Sequence, residues 1–227
     1  MKGKLYIVAT PIGNLKDITL RAIEVLKSVD FIACEDTRTS KKLLDAYDVV
    51  TKLVSYHQHS DQGKIDFILG ELTAGKNIAV ITDAGTPGIS DPGNQLVAEV
   101  VEKTRGEIEI ISIPGPAAVI AALAVSGFPT DKFIFLGFMP HKKGRQTFLR
   151  SIAEEKLTAV FYDSTHRVEK TLEQLTEALG TRKIVVCREL TKKFETVYRG
   201  TASEVLKKLQ QDKVKGEFVL VVSGKDF

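Results

Sequence analysis

Ile78-Ala79-Val80-Ile81 runs directly into Thr82-Asp83-Ala84-Gly85-Thr86-Pro87-Gly88-Ile89-Ser90-Asp91-Pro92-Gly93, and Glu109-Ile110-Ile111-Ser112-Ile113 runs into Pro114-Gly115-Pro116-Ala117-Ala118. Each stretch begins as a short β-rich apolar run, the pattern of a strand buried in a parallel sheet. Each then breaks into Gly, Pro and small residues instead of the polar turn usual between a strand and a helix. Small residues let a ligand approach the backbone, whose N–H and C=O groups then bind it. Open α/β sheets bind ligands at the carboxyl ends of their strands. Residues 83–93 alone hold three Gly, two Pro and two Asp. One such loop reads as a tight turn; two in one sheet read as a small-molecule site.

Outward from these loops, residues 1–125 alternate strand and helix. Strands are expected at 5–8, 31–34, 53–55, 78–81 and 109–113, and helices at 19–27, 39–47, 64–74, 95–103 and 117–125. Alternation with short connections predicts a mostly parallel sheet with helices on its faces. Ser126-Gly127-Phe128-Pro129-Thr130 carries the breakers of a domain joint. Beyond it come strands at 133–137 and 157–162 and helices at 145–153 and 168–179. Runs 183–187 and 196–198 are separated by only eight residues, too few for a helical crossover, so this pair should be antiparallel. A helix at 202–211 and a strand at 218–222 close the chain. The expected fold is α/β with two domains: 1–125 with a mostly parallel sheet, and 126–227 mixed α+β.

With 227 residues, 43% apolar and 27% charged, the chain has the composition of a soluble globular protein. No apolar run approaches the ~18 residues of a membrane span, and the start, Met1-Lys2-Gly3-Lys4-Leu5, lacks a signal-peptide pattern. Cys34 and Cys187 each end an apolar β-like run and read as buried free thiols, which points to a reducing, cytoplasmic location. His57-x-His59 is the nearest approach to metal-ligand spacing and is weak, so no metal is expected. Charge is uneven. Residues 1–130 carry 13 Lys+Arg against 16 Asp+Glu, net −3, and residues 131–227 carry 19 against 13, net +6. The second half is therefore the one expected to meet an anionic partner.

Four further stretches hold candidate chemistry. Val8-Ala9-Thr10-Pro11-Ile12-Gly13-Asn14-Leu15 is a small-residue loop after the first strand that matches neither phosphate-loop pattern. In Cys34-Glu35-Asp36-Thr37-Arg38-Thr39, two carboxylates beside an arginine either position a substrate or take a proton; equally, Thr39 caps the next helix while Arg38 neutralises Asp36. In Phe161-Tyr162-Asp163-Ser164-Thr165-His166-Arg167, Ser164 or Thr165 can cap a helix, and His166 is either a base or a surface residue. Arg188-Glu189-Leu190-Thr191-Lys192-Lys193-Phe194-Glu195 is either a phosphate-gripping loop or an exposed hairpin tip. His141-Lys142-Lys143-Gly144-Arg145 is the densest basic patch and reads as phosphate contact or as a solvated loop.

Together these stretches resemble the tetrapyrrole-methylase superfamily, and within it the branch that acts on small-subunit ribosomal RNA. The resemblance is carried by residues 8–15, 34–40, 82–93 and 113–118. It continues through Ser-Gly-Phe-Pro-Thr-Asp at 126–131, Phe-Leu-Gly-Phe-Met-Pro at 135–140, Arg-Glu-Leu-Thr-Lys at 188–192 and Gly-Glu-Phe-Val at 216–219, and so covers essentially the whole chain. It implies a two-domain tetrapyrrole-methylase-like fold, with S-adenosylmethionine in the cleft between domains, and a homodimer. It implies 2′-O-methylation of a cytidine ribose in the decoding region of 16S ribosomal RNA, with the small ribosomal subunit as partner. By the same resemblance Gly85, Thr86 and Pro87 with Ile89 contact the cofactor, as do Pro11, Ala117, Ala118, Tyr162 and Leu190; Asp83 of the same loop is counted with them. The family usually has Pro where this chain has Thr165, and Glu where it has Asp163, which bears on the local helix start. Many members continue past the last strand with a small helical segment. This chain stops at Phe227, so any RNA contact made by that segment is expected to be absent.

Methyl transfer from a sulfonium is an in-line displacement governed by positioning. A ribose 2′-OH is a weak acid, so a base or a cationic neighbour should assist. Glu35, Asp36 and Glu189 are candidates. Asp36 and Glu189 rank first as catalytic residues, each having an Arg within two residues. Arg38, Arg188 and Lys192 are expected to stabilise oxyanion charge and, with Lys142, Lys143 and Arg145, to contact RNA. The rivals are a carbon methyltransferase acting on a porphyrin- or corrin-like ring, which shares the fold, and a non-catalytic RNA-binding module, which would not need the small-residue loops.

Overall fold

A computed structural model describes residues 2–57, 62–91, 93–212 and 214–227; His59 of the His57-x-His59 pair lies outside them. By internal contacts the chain divides into two compact units, Met1–Ala117 and Ala118–Phe227.

The first unit is built on strands β1 (Lys4–Val8), β2 (Phe31–Cys34), β3 (Leu53–Ser55), β4 (Ile78–Ile81) and β5 (Glu109–Ile113). They form one sheet in the order β3-β2-β4-β1-β5, every pair parallel. Helices α1 (Leu20–Ser28), α2 (Thr37–Ala46), α3 (Gln62–Thr73) and α4 (Asn94–Thr104) connect them. Because side chains alternate across a strand, each central strand feeds two cores. Leu5, Phe31, Ala33, Ile78 and Val80 pack with Ile68 and Leu72 of α3 and Leu96 and Val100 of α4. Val8, Ile32, Cys34, Ala79 and Ile81 pack with Ala22 and Leu26 of α1 and Leu44 of α2. Adjacent strands β1 and β4 therefore send their chains to opposite faces of the sheet. That is a topological switch point, where the loops part and leave a crevice at the carboxyl edge.

The second unit opens with α5 (Ala118–Ser126). Its sequence, AVIAALAVS, is apolar on all sides; Val119, Ala122 and Leu123 are buried, whereas Ile120 and Val125 are exposed. The helix contacts strands β7 (Thr158–Ser164) and β10 (Glu217–Val222). The breakers at 126–130 thus end this helix, whereas the division by contacts falls before it. The sheet order is β6-β7-β10-β8-β9, with β6 (Phe133–Phe138), β8 (Lys183–Arg188) and β9 (Thr196–Thr201). Only β6 and β7 pair in parallel; the expected β8–β9 pair is antiparallel. Helices α6 (Arg145–Glu154), α7 (Val168–Leu179) and α8 (Ala202–Leu209) bury Ile152, Leu172, Leu175 and Val205 in one core with Phe161, Phe218 and Leu220 of the sheet.

Cys34 and Cys187 are both free and buried. Among the described residues, no helix is long and apolar enough to cross a membrane.

Candidate functional site

At the carboxyl edge of the first unit the small-residue loops are laced together by backbone. Thr10 and Gly85 exchange hydrogen bonds, Thr10 N to Gly85 O at 2.9 Å and Gly85 N to Thr10 O at 3.1 Å. The Thr10 hydroxyl donates to Thr82 O at 3.0 Å, and Ala9 N donates to Ile113 O at 3.1 Å. The Thr86 hydroxyl donates to Pro116 O at 3.4 Å. Three loops, after β1, β4 and β5, thus meet over the switch point. Gly85 sits at φ +89°, a conformation that favours glycine, and a Cβ there would point at Ile12 Cγ2, 3.5 Å away. Ala84 and Gly115 are exposed and Ala117 half-buried, so the edge presents little but backbone; Ile89, 52% exposed, supplies an apolar side chain beside it. Small exposed residues flanked by one aliphatic side chain leave room for a small-molecule ligand to approach the loops closely. Pro11 is buried beneath this edge and Asp83 is exposed on it.

The charged groups at this edge are mostly carboxylates. Asp36 caps α2, accepting Arg38 N at 2.8 Å, and pairs with the Arg38 guanidinium at 2.8 Å. These hydrogen bonds from Arg38 hold the Asp36 carboxyl down at about 2. The expected cap, Thr39, is displaced because the helix begins at Thr37, where the Asp36 carboxylate reaches an unpaired N–H of the first turn. The Asp83 carboxylate accepts Asp36 N at 3.3 Å, and Glu35 accepts the Thr82 hydroxyl at 3.2 Å. Half-buried Asp91 is pushed up to about 6, by burial first and then by the charges of Glu35 and Asp83. The sequence reading passed over Asp91. Its signal was present, a second acid in a Gly/Pro loop with Asp83, but its other acidic neighbour, Glu35, comes from the loop after β2.

The second unit has a different edge, in which side chains brace one another. Asp163, fully buried, pairs with Arg167 Nε at 3.2 Å and accepts the Thr171 hydroxyl. Arg167 also reaches Met139 O at 2.9 Å. Arg145, expected among the RNA contacts, is only 6% exposed. Its guanidinium donates to Gln174 Oε1 and Thr171 Oγ1 at 2.7 Å each and to Pro140 O at 3.1 Å. It ties α6 to α7 and has no free face for a phosphate; Lys142 and Lys143 beside it are exposed. Neither Ser164 nor Thr165 caps α7. Ser164 Oγ accepts from Arg167 at 3.1 Å, and Thr165 donates to Gly216 O at 2.6 Å, a bond that a proline there would lack.

Glu189 follows β8 at φ 52°. Its Oε1 accepts Lys192 Nζ and Glu217 N, each at 2.9 Å, and Lys192 also bridges to Glu217 at 2.9 Å. Burial pushes the Glu189 carboxyl up, but the hydrogen bonds from Lys192 and the Glu217 backbone outweigh it and leave it below its ordinary value. Gly216, at φ +107°, makes this possible, since a Cβ there would lie 2.4 Å from the Glu189 carboxylate. Arg188 is half-buried; its Nη1 lies 3.4 Å from Tyr198 Oη, and its Nε is buried without a partner. Leu190 is buried, and Tyr162 packs edge-on against Phe135 and Phe138 with ring centroids 5.1 Å apart in each case. Ala118 begins α5 and is half-buried. Asp36 thus pairs with Arg38, and Glu189 with Lys192, each within its own unit. Among the described residues no group of three or more His, Cys, Asp or Glu is arranged to hold a metal.

A switch-point edge of bare loops on a parallel sheet, followed by a mixed five-stranded sheet, defines a two-unit α/β protein with a small-molecule edge. Residues 4–206 match the family described as Tetrapyrrole (Corrin/Porphyrin) Methylases, and the chain belongs to that family. The fold is shared by uroporphyrin-III-C-methyltransferase from Thermus thermophilus, with a TM-score of 0.63 over 99% of this chain and 95% of that one, at 18% identity. Far more similar in sequence are proteins named Ribosomal RNA small subunit methyltransferase I. The one from Halalkalibacterium halodurans is 47% identical over 224 residues, covering 98% of this chain and 76% of its own. The one from Thermotoga maritima is 44% identical over 224 residues, covering 99% of this chain and all of its own. Within the family the chain groups with these methyltransferases, and it is an enzyme of that kind.

Proposed function

We propose that this enzyme transfers a methyl group from S-adenosylmethionine to ribosomal RNA of the small subunit, at the 2′-hydroxyl of a cytidine in the decoding region of 16S RNA. The observation that carries the cofactor half is the lacing of three small-residue loops by the Thr10–Gly85 exchange together with the Ala9–Ile113 and Thr86–Pro116 bonds. The RNA half is supported by the names of relatives sharing 44–47% of their residues with this chain, and by the net +6 of residues 131–227. The fold likeness to a ring methylase, at 18% identity, speaks only for the fold.

When bound, the cofactor supplies an electrophilic methyl group on a sulfonium. The residues suited to hold it in the first unit are Pro11, Asp83, Gly85, Thr86, Ile89 and Ala117; the family resemblance adds Ala118, Tyr162 and Leu190. Their task is to fix the ligand by backbone and apolar contact, because alignment supplies most of the rate in an in-line displacement. Asp36, held at about 2, is too weak a base to take a hydroxyl proton efficiently near neutrality. We assign it to orienting Arg38, and Glu189 to orienting Lys192, leaving these cations, with Arg188, to stabilise the developing alkoxide. The reading carries with it a homodimer in the cytoplasm.

The test is methyl transfer from labelled cofactor to intact small subunits and, separately, to naked 16S RNA, with the product nucleotide mapped. A 2′-O-methylcytidine is expected; label on a base carbon, or no transfer to either acceptor, overturns the reading. Asp36→Asn and Glu189→Gln should lower turnover while leaving cofactor affinity unchanged.

A further inference from the structure

We propose that Phe194 is a stacking platform for an unpaired base of the substrate RNA. The inference deepens the reading of the enzyme as an RNA methyltransferase and rests on it. The loop between β8 and β9 carries two non-glycine residues in the left-handed region, Glu189 at φ 52° and Thr191 at φ 67°. Such backbone persists only where the surroundings fix it. Here they do. Glu189 N donates to Glu217 O at 2.9 Å, Lys192 N to Glu189 O at 3.0 Å and Glu195 N to Lys192 O at 3.1 Å. The Lys192 ammonium spans Glu189 and Glu217, and the Glu195 carboxylate accepts Thr191 N.

This braced turn carries Phe194 with 64% of its surface exposed and the Lys193 ammonium 5.6 Å from the ring centroid. A lone exposed aromatic residue is unremarkable. A ring held outward by a strained, cross-braced loop, beside a cation and four residues from Leu190, presents a π-face and a positive charge together. That pair matches one nucleotide: the base stacks on the ring and its phosphate meets the ammonium. Bases in a duplex are not available for this, so the partner is a single-stranded or splayed-out segment. The net +6 of residues 131–227 is the complementary field.

The chain contains no tryptophan, so a Phe194→Trp variant carries a single reporter at the platform. Its emission should be quenched by oligouridylate and by 16S RNA, and far less by duplex RNA at equal saturation. Phe194→Ala and Phe194→Leu should each weaken oligouridylate binding and raise KM for RNA by about 5- to 150-fold, the range of one lost base–aromatic stack. Phe194→Tyr should retain parental binding, and cofactor affinity should stay constant throughout. Unchanged emission on bound RNA, or a leucine as effective as an aromatic ring, overturns the proposal. So does a protein-concentration-dependent blue shift without RNA, which would mean that a second copy covers the ring. The two readings fail separately. Methylation by the parent with an unaffected Phe194→Ala variant removes the platform alone. Stacking without any methyl transfer by the parent removes the activity and leaves the platform standing.

Discussion

The two carboxyl edges are built on opposite plans. In the first unit all five strands run in parallel, so every connecting loop leaves its strand on the same edge and three of them are laced by backbone and threonine hydroxyls. What remains exposed is peptide and small side chain, with carboxylates nearby. In the second unit the sheet is mixed, and long side chains close the edge: Arg145, Arg167 and Thr171 around Asp163, and Lys192 between Glu189 and Glu217. A bare-backbone edge can select a small ligand by shape and hydrogen bonding, whereas a braced lattice of fixed charges is suited to a polyanion. The contrast also predicts where substitutions hurt: folding in the second unit, ligand binding in the first.

The largest effect should follow Asp163→Ala. It leaves half-buried Arg167 without its counter-charge, and removing the buried partner of such a pair costs up to about 3–5 kcal/mol. Denaturant unfolding should show the midpoint falling accordingly; a loss under ~1 kcal/mol would mean that the lattice is ornamental. Next in size, Ala117→Leu or Gly85→Leu should reduce S-adenosylmethionine affinity by at least about tenfold in calorimetry, ~1.4 kcal/mol. Ala117→Leu is the cleaner test, since Gly85 at φ +89° also loses backbone ease. If either variant stays folded and binds like the parent, the cofactor is not held on this edge.

Replacing Lys142 and Lys143 with Ala should reduce the salt slope of RNA binding by about 1.4–1.8, at 0.7–0.9 per phosphate contact, with cofactor affinity unchanged. Arg145→Ala should instead lower stability, and an Arg145 effect on the salt slope alone would reverse its assignment. The smallest effect is a matter of pH. Asp91 is raised from 3.8 to about 6, so it favours the folded state fully below pH 3.8, and that contribution is lost as pH rises through about 6. Asp91→Asn, which resembles the protonated form, should raise Tm above pH 6 and leave it unchanged near pH 4. Asp36 has the opposite sign. Its contribution is present above pH 3.8 and lost as pH falls toward 2, so the Tm deficit of Asp36→Asn should fade in acid.

What the sequence determined by itself was whatever local pattern encodes. Short β-rich apolar runs marked every strand of both sheets, and Gly/Pro composition marked the loops at 82–93 and 114–118. The eight-residue gap after Cys187 marked the antiparallel pair. The α2 start was misplaced by two residues because Asp36 and Thr39 are both competent caps, and local sequence does not rank them. Tertiary structure alone decided the rest. It put β4 between β2 and β1, which creates the switch point. It joined Thr10 to Gly85 across 75 positions, and Glu189 to Glu217 across 28. It also buried Arg145 against Thr171, 26 positions away, turning what read as a surface cation into a structural one. The physical reason is the same in each case. Backbone preference and periodicity act over a few residues, but the burial of a charge and the partners of a polar group depend on which distant segments the folded sheet brings alongside.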